Sequence, residues 1–151
     1  ILILEVLSKK LIGAIMFWNK SKFKFSRKSI KELETCHPDL QRLFKEVIKQ
    51  FDCSVIGGHR SNEQQNEFFR KGYTKLRGGQ SKHNLKPSRA VDVCPYPIDW
   101  KNKERFIYFA GYVKGVANQM NIKICWGGDW DSDNFMKDQT FNDLPHFQLE
   151  D

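Results

Sequence analysis

No stretch of this chain approaches the roughly 20 consecutive apolar residues that a membrane-spanning helix requires. Its two apolar runs, Ile1 to Leu4 and Leu11 to Trp18, are separated by Glu5, Ser8, Lys9 and Lys10, so stable membrane insertion is not expected. A signal peptide would carry its basic residues ahead of the apolar segment and a small-x-small cleavage site behind it; here the lysines fall in the middle and no such site follows. Because no Met opens the sequence, residues 1–19 are read as a leader or upstream extension, and residues 20–151 as one folded domain. Also missing is any Cys-x-x-Cys pair, the usual mark of a structural zinc site or redox dithiol. Cys36, Cys53, Cys94 and Cys125 are widely spaced and read as reduced, buried thiols of a reducing compartment. Repeats and low-complexity runs are absent, which excludes solenoid architectures.

Acidic residues are in short supply: 18 Asp and Glu stand against 25 Lys and Arg, a net charge of +7. That balance favours an anionic partner such as nucleic acid, acidic lipid or bacterial wall polymer. The basic residues are spread along the chain, with no zinc-finger pair and no aromatic RNA-binding signature, so nucleic acid is not the expected partner.

What is present supports one core, with 40% hydrophobic residues in 151. Ser26 or Ser29 can cap a short helix through Cys36, and Pro38 suits the first turn of a second. In that second helix Leu40, Leu43, Phe44, Val47, Ile48 and Phe51 recur at three- and four-residue steps, marking a buried face. Residues 53–56 read as a strand ending at Gly57-Gly58; Ser61 caps a helix to about Arg70, where Gly72 ends it. A polar loop from Thr74 to Lys82 leads to His83. Residues 90–94 read as a strand stopped by Pro95-Tyr96-Pro97, Asn102 to Met120 as a helix, and residues 122–126 and 147–149 as short strands. The pattern predicts the α+β class, a small mostly antiparallel sheet flanked by helices.

Two histidines and a carboxylate carry the chemistry. His83 and His146 each lie at the mouth of a short strand beside a carboxylate, and Asp92 projects from a strand. Such a set can hold zinc through nitrogen and oxygen and leave a fourth position open, which points to a hydrolase. His37, next to Pro38, and His59 read instead as ordinary solvated or hydrogen-bonded side chains. Asp129, Asp131 and Asp133 alternate like the start of a calcium loop, but Asn134 and Thr140 occupy the positions where Gly and Glu are required, which excludes an EF-hand. A solvated acidic turn is the preferred reading there over a second cation site.

Six short motifs occur in one order: His37-Pro38-Asp39-Leu40; Gly58-His59-Arg60-Ser61 with Gln65; Ser81-Lys82-His83-Asn84; Pro87-Ser88-Arg89-Ala90-Val91-Asp92; Trp126-Gly127-Gly128-Asp129-Trp130; and Asp143-Leu144-Pro145-His146-Phe147. Together they resemble the zinc peptidases of the D-Ala-D-Ala carboxypeptidase and VanY-like superfamily, from about Phe23 to Leu149. Within it they are most similar to the L-alanyl-D-glutamate endopeptidases of phage endolysin type. The resemblance implies a hedgehog/D-Ala-D-Ala peptidase-like fold, zinc ligands His83, Asp92 and His146, and Asp143 as catalytic acid/base. It implies that Arg60 polarises the scissile carbonyl, and it places Ser81, Gln65, Trp126 and Asp129 on the substrate-binding side. Asp143, where many members have Glu, favours the endopeptidases over the D-Ala-D-Ala carboxypeptidases, which are the alternative; a wall-binding or nucleic-acid-binding module without catalysis is a further one. Eight residues separate His83 from Asp92, longer than in many relatives, and this is expected to alter the cleft more than the metal site. The implied partner is bacterial peptidoglycan. The expected form is a monomer, held in the host cytoplasm before release to the cell wall or exported to it.

Overall fold

The computed structural model describes residues 2–151, and of residues 13–19 the backbone only. Helix α1 (Leu2–Asn19) stands first. Its Leu2, Ile3, Leu4, Val6, Leu7, Leu11 and Ile12 are exposed, and no helix among the described residues is long and apolar enough to cross a membrane. The sequence pattern, read as a leader or upstream extension, predicts no element here.

Local capping sets the next two helices. The Ser26 hydroxyl accepts from the Ser29 amide at 3.1 Å, which opens α2 (Arg27–Glu34). Nδ1 of His37 accepts from the Asp39 amide at 3.1 Å, so this histidine is a helix cap, and Pro38 occupies the first turn of α3 (Pro38–Val47), where its missing N–H costs nothing. Leu40, Leu43, Phe44 and Val47 are fully buried, as their spacing predicts.

Strands β1 (Cys53–Gly57), β2 (Ala90–Pro95), β3 (Ile124–Trp126) and β4 (His146–Leu149) form one antiparallel sheet in the order β1-β2-β4-β3. Helix α4 (Asn62–Arg70) follows β1, and α5 (Lys103–Gln119) follows β2. The fold is therefore α+β, as expected, with β3 starting two residues later than its sequence suggests. Helices α3 and α5 cover one face of the sheet, where Phe147 meets the rings of Phe44 and Phe109 at 5.5 and 6.1 Å between centroids. Each such ring contributes about 1.5–3 kcal/mol by leaving water.

The two-residue period of the strands then decides where the polar side chains go. Val91 and Val93 of β2, with Phe147 and Leu149 of β4, enter the core. Asp92, His146 and Gln148 consequently face the other side, where a cleft lies. Asp92 and His146 are direct partners in the β2–β4 register, so sheet pairing alone brings two distant residues side by side. All four cysteines are free and buried; burial pushes the Cys36 and Cys94 thiols up to about 12.

Candidate metal centre and active-site cleft

His83 reaches the two strand residues from a short 3-10 turn, Lys82–Asn84, opened by Ser81, whose hydroxyl accepts from the His83 amide at 3.2 Å. The turn is tied to the strand–helix junction before α4: the Arg60 amide donates to the His83 carbonyl at 2.8 Å, and the Asn84 amide side chain donates to the Arg60 carbonyl at 2.9 Å. Gly58 is required at this junction, since a Cβ there would stand 2.2 Å from the Thr35 hydroxyl oxygen and 2.3 Å from the Glu32 carbonyl oxygen.

Nε2 of His83, Nδ1 of His146 and Oδ1 of Asp92 form a nearly equilateral triangle, with edges of 3.2 Å between the histidines and 3.4 and 3.3 Å from each to the carboxylate. The outer nitrogens fix the proton positions. Nδ1 of His83 donates to the Gly58 carbonyl at 2.7 Å, and Nε2 of His146 donates to Oε1 of Gln148 at 3.0 Å. Each neutral ring therefore turns a lone pair inward. Oδ1 of Asp92 is buried without a hydrogen-bond partner among the described residues. Three electron-rich atoms held this close call for a positive charge between them. Four ligands about 2.0–2.1 Å from a central zinc have edges of about 3.3–3.4 Å, so the triangle has the dimensions of one face of that tetrahedron. The donor set of two imidazoles and a carboxylate fits the same ion.

Burial alone would push the Asp92 carboxyl up, but in the metal-free protein protonated His83 and His146 supply charge and hydrogen bonds that outweigh it and hold the group well below the usual carboxylate range. The His146 imidazole is pulled down by burial and, more strongly, pushed up by Asp92 and Gln148. Asp143 lines the same cleft without joining the triangle. Burial and then the Asp92 charge push its carboxyl up, partly offset by His146, His83 and Arg60. A carboxyl raised in this way holds a proton more readily than an ordinary one, which suits an acid/base role.

The backbone around Asp143 is closely held: its amide donates to the Gly127 carbonyl at 2.7 Å, and the Gly127 amide donates to the His146 carbonyl at 2.8 Å. A Cβ on Gly127 would lie 2.1 Å from the Asp143 carbonyl oxygen, so only glycine permits this approach.

Other residues assigned from sequence fall in different places. Ser81 lines the cleft. Arg60 lines it too, but Nη2 donates to Oδ2 of Asp92 at 3.1 Å, Nη1 donates to Oε1 of Gln65 at 2.9 Å, and the guanidinium rests 4.5 Å from the centre of the Phe68 ring. Its guanidinium is thus engaged by Asp92 and Gln65, whereas the resemblance gives it the scissile carbonyl. Gln65, expected on the substrate side, is instead fully buried behind Arg60, because it sits on the inward face of α4. Trp126 is likewise turned into the core by the β3 alternation, and its indole N–H donates to the Leu144 carbonyl at 2.7 Å, steadying the loop that carries Asp143. Asp129 is buried in a turn, where its carboxylate takes the Lys114 ammonium at 3.0 Å and the Asp133 and Asn134 amides at 3.1 Å. Neither it, Gln65 nor Trp126 lines the cleft. None of residues 84–91 lines it either; Ser88 in that longer connection is bonded back to Thr35 and His37, which takes the extra residues away from the site. Sequence reasoning missed Gln148, although its place two residues after His146 on a strand puts it on the same face.

A buried donor triad at the floor of a cleft of about 1120 Å³, with a further carboxyl beside it, defines a metallohydrolase. The comparisons agree. Residues 21–150 match the profile of the family described as phage L-alanyl-D-glutamate peptidase, and the chain belongs to that family. It is 28% identical over 123 residues to the L-alanyl-D-glutamate peptidase of Escherichia phage T5, covering 78% of this chain and 88% of that protein. Its fold is similar to the crystal structure of the L-Ala D-Glu endopeptidase ChiX of Serratia marcescens, with a TM-score of 0.67 and 28% identity over 85% of this chain and 92% of the other.

Proposed function

We propose that this chain is a zinc-dependent endopeptidase that cuts the L-Ala–D-Glu bond in the stem peptide of bacterial peptidoglycan, acting as a phage or prophage endolysin. The triangle of His83, Asp92 and His146, with edges of 3.2–3.4 Å and its lone pairs turned inward, carries this reading. Zinc bound there would supply Lewis acidity toward the scissile carbonyl and acidify water at neutral pH. Asp143, raised by burial, takes the proton of the attacking water and returns it to the departing amine of D-Glu. Arg60 holds the outer oxygen of Asp92, so that the inner oxygen stays pointed at the two histidines. Ser81 keeps His83 in place and offers its wall to the substrate. The net charge of +7 draws the enzyme to the anionic wall. It works there as a monomer, stored in the host cytoplasm before release or exported.

Digestion of purified peptidoglycan by the zinc-loaded protein, with new amino termini identified by mass spectrometry, tests this directly. New D-Glu termini that disappear with a chelator are expected. Release of free D-Ala instead would make it a carboxypeptidase.

A further inference from the structure

The cleft is lined by three cations among the described residues, Arg60, Lys75 and Lys82, and two of them are engaged by the protein itself. Arg60 is held by Asp92 and Gln65. The Lys82 ammonium donates to the Leu149 carbonyl at 2.6 Å. Lys75 is exposed, and its ammonium rests against the Phe141 ring at 5.1 Å from the centroid. Its backbone is fixed on both sides. The buried amide of Gln65 donates to the Thr74 hydroxyl at 3.3 Å and to the Leu76 carbonyl at 2.8 Å, and the Leu76 amide donates to the Thr74 hydroxyl at 3.2 Å. A cation on a pinned backbone, facing the cleft and without an anionic partner among the described residues, is built to meet a negative group on the substrate.

Resting on the reading above, the chemistry of the bond names that group. The nitrogen released by cleavage belongs to D-Glu, which continues the stem through its side-chain carboxyl, so its α-carboxyl stands next to the scissile bond as a free acid or as an amide. We propose that Lys75 is a specificity-determining residue that receives this α-carboxylate and makes the enzyme prefer D-Glu over its α-amide. The amide form offers the ammonium no charge. Gln65 then serves substrate and metal together, holding the Lys75 segment with one end of its side chain and Arg60 with the other.

The test measures kcat and KM of the zinc-loaded protein on two synthetic stem peptides that differ only in whether the D-Glu α-carboxyl is free or amidated. The parent should favour the free acid roughly tenfold in kcat/KM, mostly through KM. Lys75→Met should bring the ratio to about one, and Lys75→Arg should keep most of it. A parent without preference, or a Lys75→Met variant in which both peptides decline equally, would overturn the proposal. Cleavage of neither peptide by the parent would remove the function itself, and the proposal with it.

Discussion

His83, Asp92 and His146 come from three separate elements and turn electron pairs toward one another, whereas Asp129, Asp131 and Asp133 come from a single turn whose innermost carboxylate already has its partners. Both groups place three ligand atoms within 4.8 Å of one another. They differ in the hydrogen bonds of the atoms involved. In the first, Gly58 and Gln148 take the outer ring N–H groups, and Oδ1 of Asp92 has no hydrogen-bond partner among the described residues. In the second, the Lys114 ammonium and two backbone amides satisfy Asp129. Proximity of ligand-type residues is therefore a weak criterion; the lone pairs left unserved by the fold decide which group needs a cation.

The largest expected effect belongs to the neighbour of the first group. Asp143→Ala should bind zinc as the parent does and lose about 10²–10⁴-fold in turnover, measured as initial rates on soluble wall fragments; unchanged turnover would take proton transfer away from this residue. Next is the core ring that holds β4 in place: Phe147→Ala should cost about 3–5 kcal/mol in urea unfolding, since the ring is fully buried. A smaller loss, about 1–3 kcal/mol, is expected for Asp129→Ala, which strands two backbone amides and leaves Lys114 with Asn134 alone; ion binding should not change, and a fall in zinc content would erase the contrast between the groups. The smallest effect is a pH dependence. Without metal, Asp92 is held below its ordinary value, so its stabilising contribution is present above about pH 4 and lost as the pH falls further. His146 is held above its ordinary value, so its contribution is full below about pH 6.5 and is lost as the pH rises through the raised folded value. Zinc requires the same imidazole without its proton. The gain in Tm on adding zinc should therefore widen from about pH 5.5 to about pH 8, and a constant gain would contradict the assignment of His146.

How far the sequence could be read follows from the same physics. The buried face of α3 was legible because Leu40, Leu43, Phe44 and Val47 repeat with the helix period, and the grouping of His83, Asp92 and His146 was legible through ordered motifs. Motifs record spacing and not direction. Gln65, Trp126 and Asp129 lie in motifs near the site, yet the face of α4, the alternation of β3 and the closure of a turn point their side chains inward. Arg60 was legible as a site residue, but its pairing with Asp92 depends on strand register, which brings together residues 32 positions apart. The helical form of residues 2–19 was not read because the interrupted apolar stretch is set aside as a leader or upstream extension.

Zinc content after equilibrium dialysis, for the parent, His83→Ala and Asp131→Asn side by side, tests the central claim most directly. One ion per chain is predicted for the parent and for Asp131→Asn, and none for His83→Ala. Full loading of His83→Ala, or loss of the ion in Asp131→Asn, would place the cation elsewhere and contradict the account.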